Sequence, residues 1–106
     1  MIVIAEGELK ELLTTGKSRK YKRITNNKDL YNGLRRVISF MLAAENTNDL
    51  QTASFLHYEK LKHDYSGLSS VRLSNRYVHR LIFLEENDKI TLKLIEIDDT
   101  HYGNKK

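Results

Sequence analysis

The spacing of the apolar residues changes once along this chain, and the change divides it in two. In the first half Leu30, Leu34, Val37, Ile38, Met41 and Leu42 recur at intervals of three and four, the stripe of one amphipathic helix. Past residue 57 the interval becomes two. Ser70 to Ser74 alternates, Val78 to Leu84 is apolar enough for a central strand, and Ile90 to Ile97 makes a third. Periods of 3.6 and 2.0 cannot serve the same backbone conformation, so helices from the first half must pack on a sheet built mainly from the second.

Shorter signals fill in the order. Ile2 to Ile4 reads as a strand, and Glu8 to Thr15 as a short helix with Leu9, Leu12 and Leu13 on one face and Gly16 as its stop. Asn27 or Asp29 caps the long helix, which ends by Asn46 to Asp49. Gly33 inside it costs about 1 kcal/mol relative to alanine, which implies close packing there. Leu50 to Leu56 shows no decisive period. Asn87-Asp88 is a turn between the last two strands, and in the final strand the apolar parity moves from Ile90, Leu92 and Leu94 to Ile95 and Ile97, as a β-bulge near Leu94 would produce. The expected architecture is α+β: a short N-terminal strand, and two helices on one face of an antiparallel sheet whose three C-terminal strands form a meander. One domain is expected over residues 1–102, with a short basic tail at 103–106.

At 106 residues, 40% hydrophobic and 30% charged, the chain has room for one modest core and too much apolar content for disorder. A formal charge of +4 favours polyanionic or acidic partners. The lack of cysteine excludes disulfides, thiol nucleophiles and cysteine-based metal sites. His57, His63 and His79 match no usual metal-ligand spacing, so no metal is expected. No apolar stretch has the length of a signal segment or a membrane span, so a cytoplasmic protein without a membrane partner is expected. Lys17, Arg19, Lys20, Lys22 and Arg23 place five cations within seven residues, either a solvated connection or a contact for a polyanion or an acidic partner.

With helices on one side of the sheet, its other face is free to present polar groups. Arg72 points away from Val71 and Leu73, and Arg80, between His79 and Leu81, is expected to face a solvent groove in preference to a buried ion pair. Glu59, Lys62 and His63 lie just before the sheet, and His101 and Tyr102 just after its last strand. Brought together, these groups suit cleavage of RNA by its own 2′-hydroxyl, which needs a base, cations for the crowded phosphorane and an acid for the leaving 5′-oxygen, without a cofactor. The same groups can also hold an RNA backbone without reaction.

The ordered set Tyr58-Glu59-Lys60-Leu61-Lys62-His63-Asp64-Tyr65-Ser66-Gly67, Ser70, Arg72, His79-Arg80-Leu81-Ile82-Phe83 and His101-Tyr102 resembles the toxins of the RelE/ParE superfamily, in detail those of the YoeB type. Leu12-Leu13-Thr14-Thr15-Gly16 leading into Lys17-Ser18-Arg19 is similar to the HigB, or plasmid-maintenance killer, branch. The resemblance implies a toxin of a type II toxin–antitoxin system that cuts mRNA in the ribosomal A site and leaves a 2′,3′-cyclic phosphate. Its implied partners are a cognate antitoxin, the ribosome with its mRNA, and operator DNA only through the antitoxin complex. Residue by residue, the resemblance makes Glu59 the general base, Arg80 the transition-state arginine, His101 the general acid and Tyr102 an orienting group. Lys62, His63 and Arg72 fall on phosphate-holding positions.

Three departures accompany the match. Leu68-Ser69 stands where the pattern has an aromatic pair. About two extra residues separate Arg72 from Arg80, leaving Arg76 a rival for the role of Arg80. The chain also runs on past His101-Tyr102. Two other functions stay open: a ParE-like inhibitor of DNA gyrase that does not cut RNA, and an inert member that binds only its antitoxin or nucleic acid.

Overall fold

The computed structural model describes residues 1–99, so His101, Tyr102 and the basic tail lie outside the described residues. The elements run β1 (Ile2–Ile4), α1 (Gly7–Thr15), α2 (Lys22–Thr25), α3 (Lys28–Ala43), α4 (Thr47–Thr52), β2 (Glu59–Lys60), β3 (Ser69–Arg72), β4 (Arg80–Glu85) and β5 (Thr91–Asp98). Single 3₁₀ turns at Ser54–Leu56 and His63–Tyr65 flank β2.

Local chemistry accounts for the helix ends. Gly16 takes the left-handed conformation and its N–H returns to the Leu12 carbonyl, closing α1. The Asn27 side chain, and not Asp29, accepts from the Leu30 N–H at the start of α3. Leu30, Leu34, Val37 and Met41 are buried along α3 and join Leu9 and Leu12 of α1 over the sheet. Leu42, expected in that stripe, is exposed one position off it. A Cβ at Gly33 would come within 2.1 Å of the Leu73 carbonyl oxygen, so the helix meets the end of β3 where only glycine fits.

The sheet has five strands in the order β1-β5-β4-β3-β2. β3, β4 and β5 form the expected antiparallel meander, but β1 lies parallel to β5, making the sheet mixed. β2, expected just before the sheet, is instead its edge strand, paired with β3 through Glu59 with Ser70 and Lys60 with Ser69. Two residues carry too little alternation to register as a strand by pattern. Likewise α2 and α4 add short helices in segments read as a connection or left without a period; neither is long enough to repeat a stripe. The bulge is present: Phe83 pairs with Leu94 and Ile82 with Glu96, which leaves Ile95 as the extra residue and returns Ile97 to the core. Among the described residues no helix is long and apolar enough to cross a membrane.

Candidate active site on the open face of the sheet

Strand alternation sorts the sheet into two faces. Val71, Leu81 and Ile97 stand in one cross-strand row and Leu94 and Phe83 in another, all in the core beneath the helices. The residues between them point the other way. One row of the open face holds Arg72, Arg80 and Asp98, and the adjacent row holds Glu59, Ser70, Ile82 and Glu96. The fold therefore brings Glu59, Arg72 and Arg80, 21 positions apart at the extremes, onto one surface.

Arg80 does not face a groove. It is 2% exposed, with Nε donating to Ser70 Oγ at 2.8 Å and Nη2 donating to the His57 carbonyl. Its Nη2 also stands 3.9 Å from Glu59 Oε1. The expectation of a solvent-facing cation is corrected for a physical reason: the guanidinium runs across β3 toward the edge strand β2, where backbone and hydroxyl acceptors replace its hydration. Glu59 above it keeps about half of its side chain in solvent, at 54% exposure. The pair is a buried cation beneath an accessible carboxylate.

The other expected site residues divide. Arg72 lies in the Arg80 row, partly buried, and its Nε is buried without a hydrogen-bond partner among the described residues. Lys62 and His63 are exposed on the connection between β2 and β3, with His63 in the left-handed region. Arg76 is drawn elsewhere: its Nη1 lies 3.1 Å from Asp29 Oδ2 at the start of α3, so of the two rival arginines only Arg80 reaches Glu59. The basic run also lies apart from this face. Lys17, Arg19 and Lys22 line a cleft of about 510 Å³ with Glu8 and Glu11, and Lys20, Lys22 and Arg23 line another of about 480 Å³ with His79 and Asp99. Arg23 approaches Asp99 at 3.9 Å.

Pattern reading missed several polar partners. Tyr65 Oη donates to Glu96 Oε2 at 3.1 Å, reaching from the β2–β3 connection across to β5. Its phenol is pushed up, first by burial and then by that carboxylate. Glu96 was legible only through the bulge, which returns the strand to an open-face position there. On the core side Tyr58 Oη donates to Glu85 Oε2 at 2.6 Å, and burial followed by this bond raises the Tyr58 phenol to about 12. His79 moves the other way: both ring nitrogens are buried without a hydrogen bond among the described residues, and this desolvation holds the imidazole below its usual value.

No protein-family model and no curated protein sequence matches the chain. Solved structures do. YafQ from Escherichia coli strain BL21(DE3) superposes with a TM-score of 0.61 over 97% of each chain at 12% identity. A chain of the YoeB–YefM complex from Staphylococcus aureus gives 0.57 at 18% identity, over 92% of this chain and 94% of that one. The YoeB/ParE toxin from Agrobacterium tumefaciens gives 0.55 at 14% identity, over 93% and 98%. The likeness is one of architecture: the chain shares the α+β fold of these YafQ and YoeB/ParE structures over nearly its full length.

Proposed function

We propose that this chain is the toxin of a type II toxin–antitoxin system, a HigB-like member with a YoeB-like site that cleaves mRNA on the ribosome. The observation that carries the reading is the half-exposed Glu59 carboxylate with the Arg80 guanidinium 3.9 Å beneath it, on the open face of a RelE-like sheet. In this reading Glu59 takes the 2′-hydroxyl proton, the 2′-oxygen attacks phosphorus, and the bond to the 5′-oxygen breaks, leaving a 2′,3′-cyclic phosphate and a 5′-hydroxyl. His101 supplies the proton to the departing oxygen and Tyr102 orients the RNA, as the resemblance implies.

Burial refines the role of Arg80. A guanidinium held by Ser70 and the His57 carbonyl is fixed before substrate arrives, so it holds the Glu59 carboxylate in place and lends its field to the phosphorane without reorganising. Contact with phosphate falls to Arg72, Lys62 and His63. The face is also mixed in charge: among the described strand residues Glu59, Glu96 and Asp98 oppose Arg72, Arg80 and Lys93. Such a surface attracts free RNA weakly, which favours a message already held by the ribosome. The run from Lys17 to Arg23 is the candidate contact to ribosomal RNA, with an acidic antitoxin segment as its rival. Action in the cytoplasm and repression of an operator through the antitoxin complex belong to the same reading.

Primer extension on mRNA from programmed ribosomes tests it. Cleavage stops are expected with the parent and a loss of at least about a hundredfold in single-turnover rate with Glu59→Gln, the size of a general-base contribution. An unchanged rate would remove Glu59 from the chemistry. Growth arrest with intact mRNA and altered DNA supercoiling would point to the gyrase-inhibiting alternative.

A further inference from the structure

The open face is not bare. Ile82 belongs to the row of Glu59, Ser70 and Glu96, on the side that carries no helix, and is nonetheless fully buried. Leu61, continuing the alternation of Glu59, is buried too. The 61–68 connection folds back by way of the Leu61 N–H to Leu68 carbonyl and Leu68 N–H to Tyr65 carbonyl bonds. From it Tyr65 extends over this face until its hydroxyl meets Glu96 on β5. Glu59 and Glu96 stand three strand spacings apart, about 14 Å at ~4.8 Å each, so one strand of RNA can touch both the Glu59 carboxylate and the Tyr65 ring.

We propose that the Tyr65 ring is the platform of a nucleobase subsite, on which a base of the single-stranded message stacks beside the Glu59–Arg80 pair; the proposal rests on the nuclease reading above. Tyr65 is partly exposed, and its hydroxyl is tied to Glu96. That bond fixes the ring before a base arrives, which reduces the ordering cost of stacking. Single-stranded RNA is bound through such aromatic surfaces because every base offers a flat apolar face whatever its sequence. A tyrosine phenol is protonated throughout the neutral range, so the Tyr65 hydroxyl is available to donate to Glu96.

The bland alternative is that Tyr65 only roofs Ile82 and Leu61, and leucine separates the two roles because it covers apolar surface but cannot stack. Single-turnover cleavage on programmed ribosomes, and quenching of 2-aminopurine placed in a 2′-O-methyl, uncleavable A-site codon, are measured for the parent, Tyr65→Phe and Tyr65→Leu, with thermal melts of each. We expect Tyr65→Phe to cleave within about threefold of the parent, and Tyr65→Leu to fall by about tenfold or more and lose the quench while melting within a few degrees of the parent. Parent-like cleavage and quenching by Tyr65→Leu would overturn the subsite and leave the nuclease reading intact. A Tyr65→Leu defect accompanied by a lowered melting temperature and retained quenching would also overturn it, in favour of the roof. A parent protein that never cleaves would refute the nuclease reading, and with it the subsite.

Discussion

Replacing Arg80 by alanine distinguishes a buried framework cation from an exposed catalytic one. The substitution deletes the Nε bond to Ser70, a residue with no exposed surface, and the Nη2 bond to the His57 carbonyl. Hydrogen bonds to a charged donor each contribute about 1.5–3 kcal/mol, and removing one partner of a buried charged network costs about 3–5 kcal/mol. The ion pair with Glu59 adds little to this, because that carboxylate is 54% exposed and screened by water. A loss of about 3 kcal/mol is therefore expected from a domain whose whole stability is about 5–15 kcal/mol. In urea, followed by far-UV circular dichroism, this moves the midpoint down by about 1–3 M at unchanged slope, and in a melt it lowers Tm by about 12–24 °C. Glu59→Gln serves as the control and should leave both within about 0.5 kcal/mol of the parent, as a surface change does. A midpoint for Arg80→Ala within 0.3 M of the parent, roughly the span of a neutral substitution, would refute the argument that buried acceptors depend on this guanidinium.

Other tests follow from the packing and the titrating groups. Gly33→Ala should cost about 2 kcal/mol or more, a fall in Tm of about 8–16 °C, because the clash with the Leu73 carbonyl outweighs the roughly 1 kcal/mol gain in helix propensity; a higher Tm would show that the helix can move aside. His79 is held below its ordinary 6.5, so as pH falls past 6.5 the unfolded chain gains a proton before the folded one and stability drops; His79→Gln should flatten that part of the urea-midpoint profile between pH 7.5 and 5.5. Tyr58 titrates near 12 in place of 10, so stability is lost as pH rises through that window, and phenolate absorbance should lose its late component in Tyr58→Phe. Reversing charge at Lys20, Lys22 and Arg23 should weaken ribosome binding and lower its salt dependence; unchanged binding would assign the run to another partner.

The long helix, a cap at Asn27 or Asp29, the Gly16 stop, the meander and the bulge before Ile97 were all legible in the sequence, because each rests on spacing or on one residue's backbone preference, and the structure chose Asn27 for the cap. So was the tight approach at Gly33. β2 and the parallel pairing of β1 were not, since two residues carry no period and strand direction depends on how the intervening helices return the chain. The site divides the same way. Glu59, Arg72 and Arg80 could be named from residue type and order, but whether they share a face, and which of Arg76 and Arg80 meets Glu59, depended on register. Arg80 shows the limit most plainly: alternation told which face it belongs to, while its burial follows from an edge strand and a connection that fold over it from twenty residues earlier in the chain. A pattern along one strand specifies direction, but desolvation is a property of everything that arrives around a side chain, and only the assembled structure contains that.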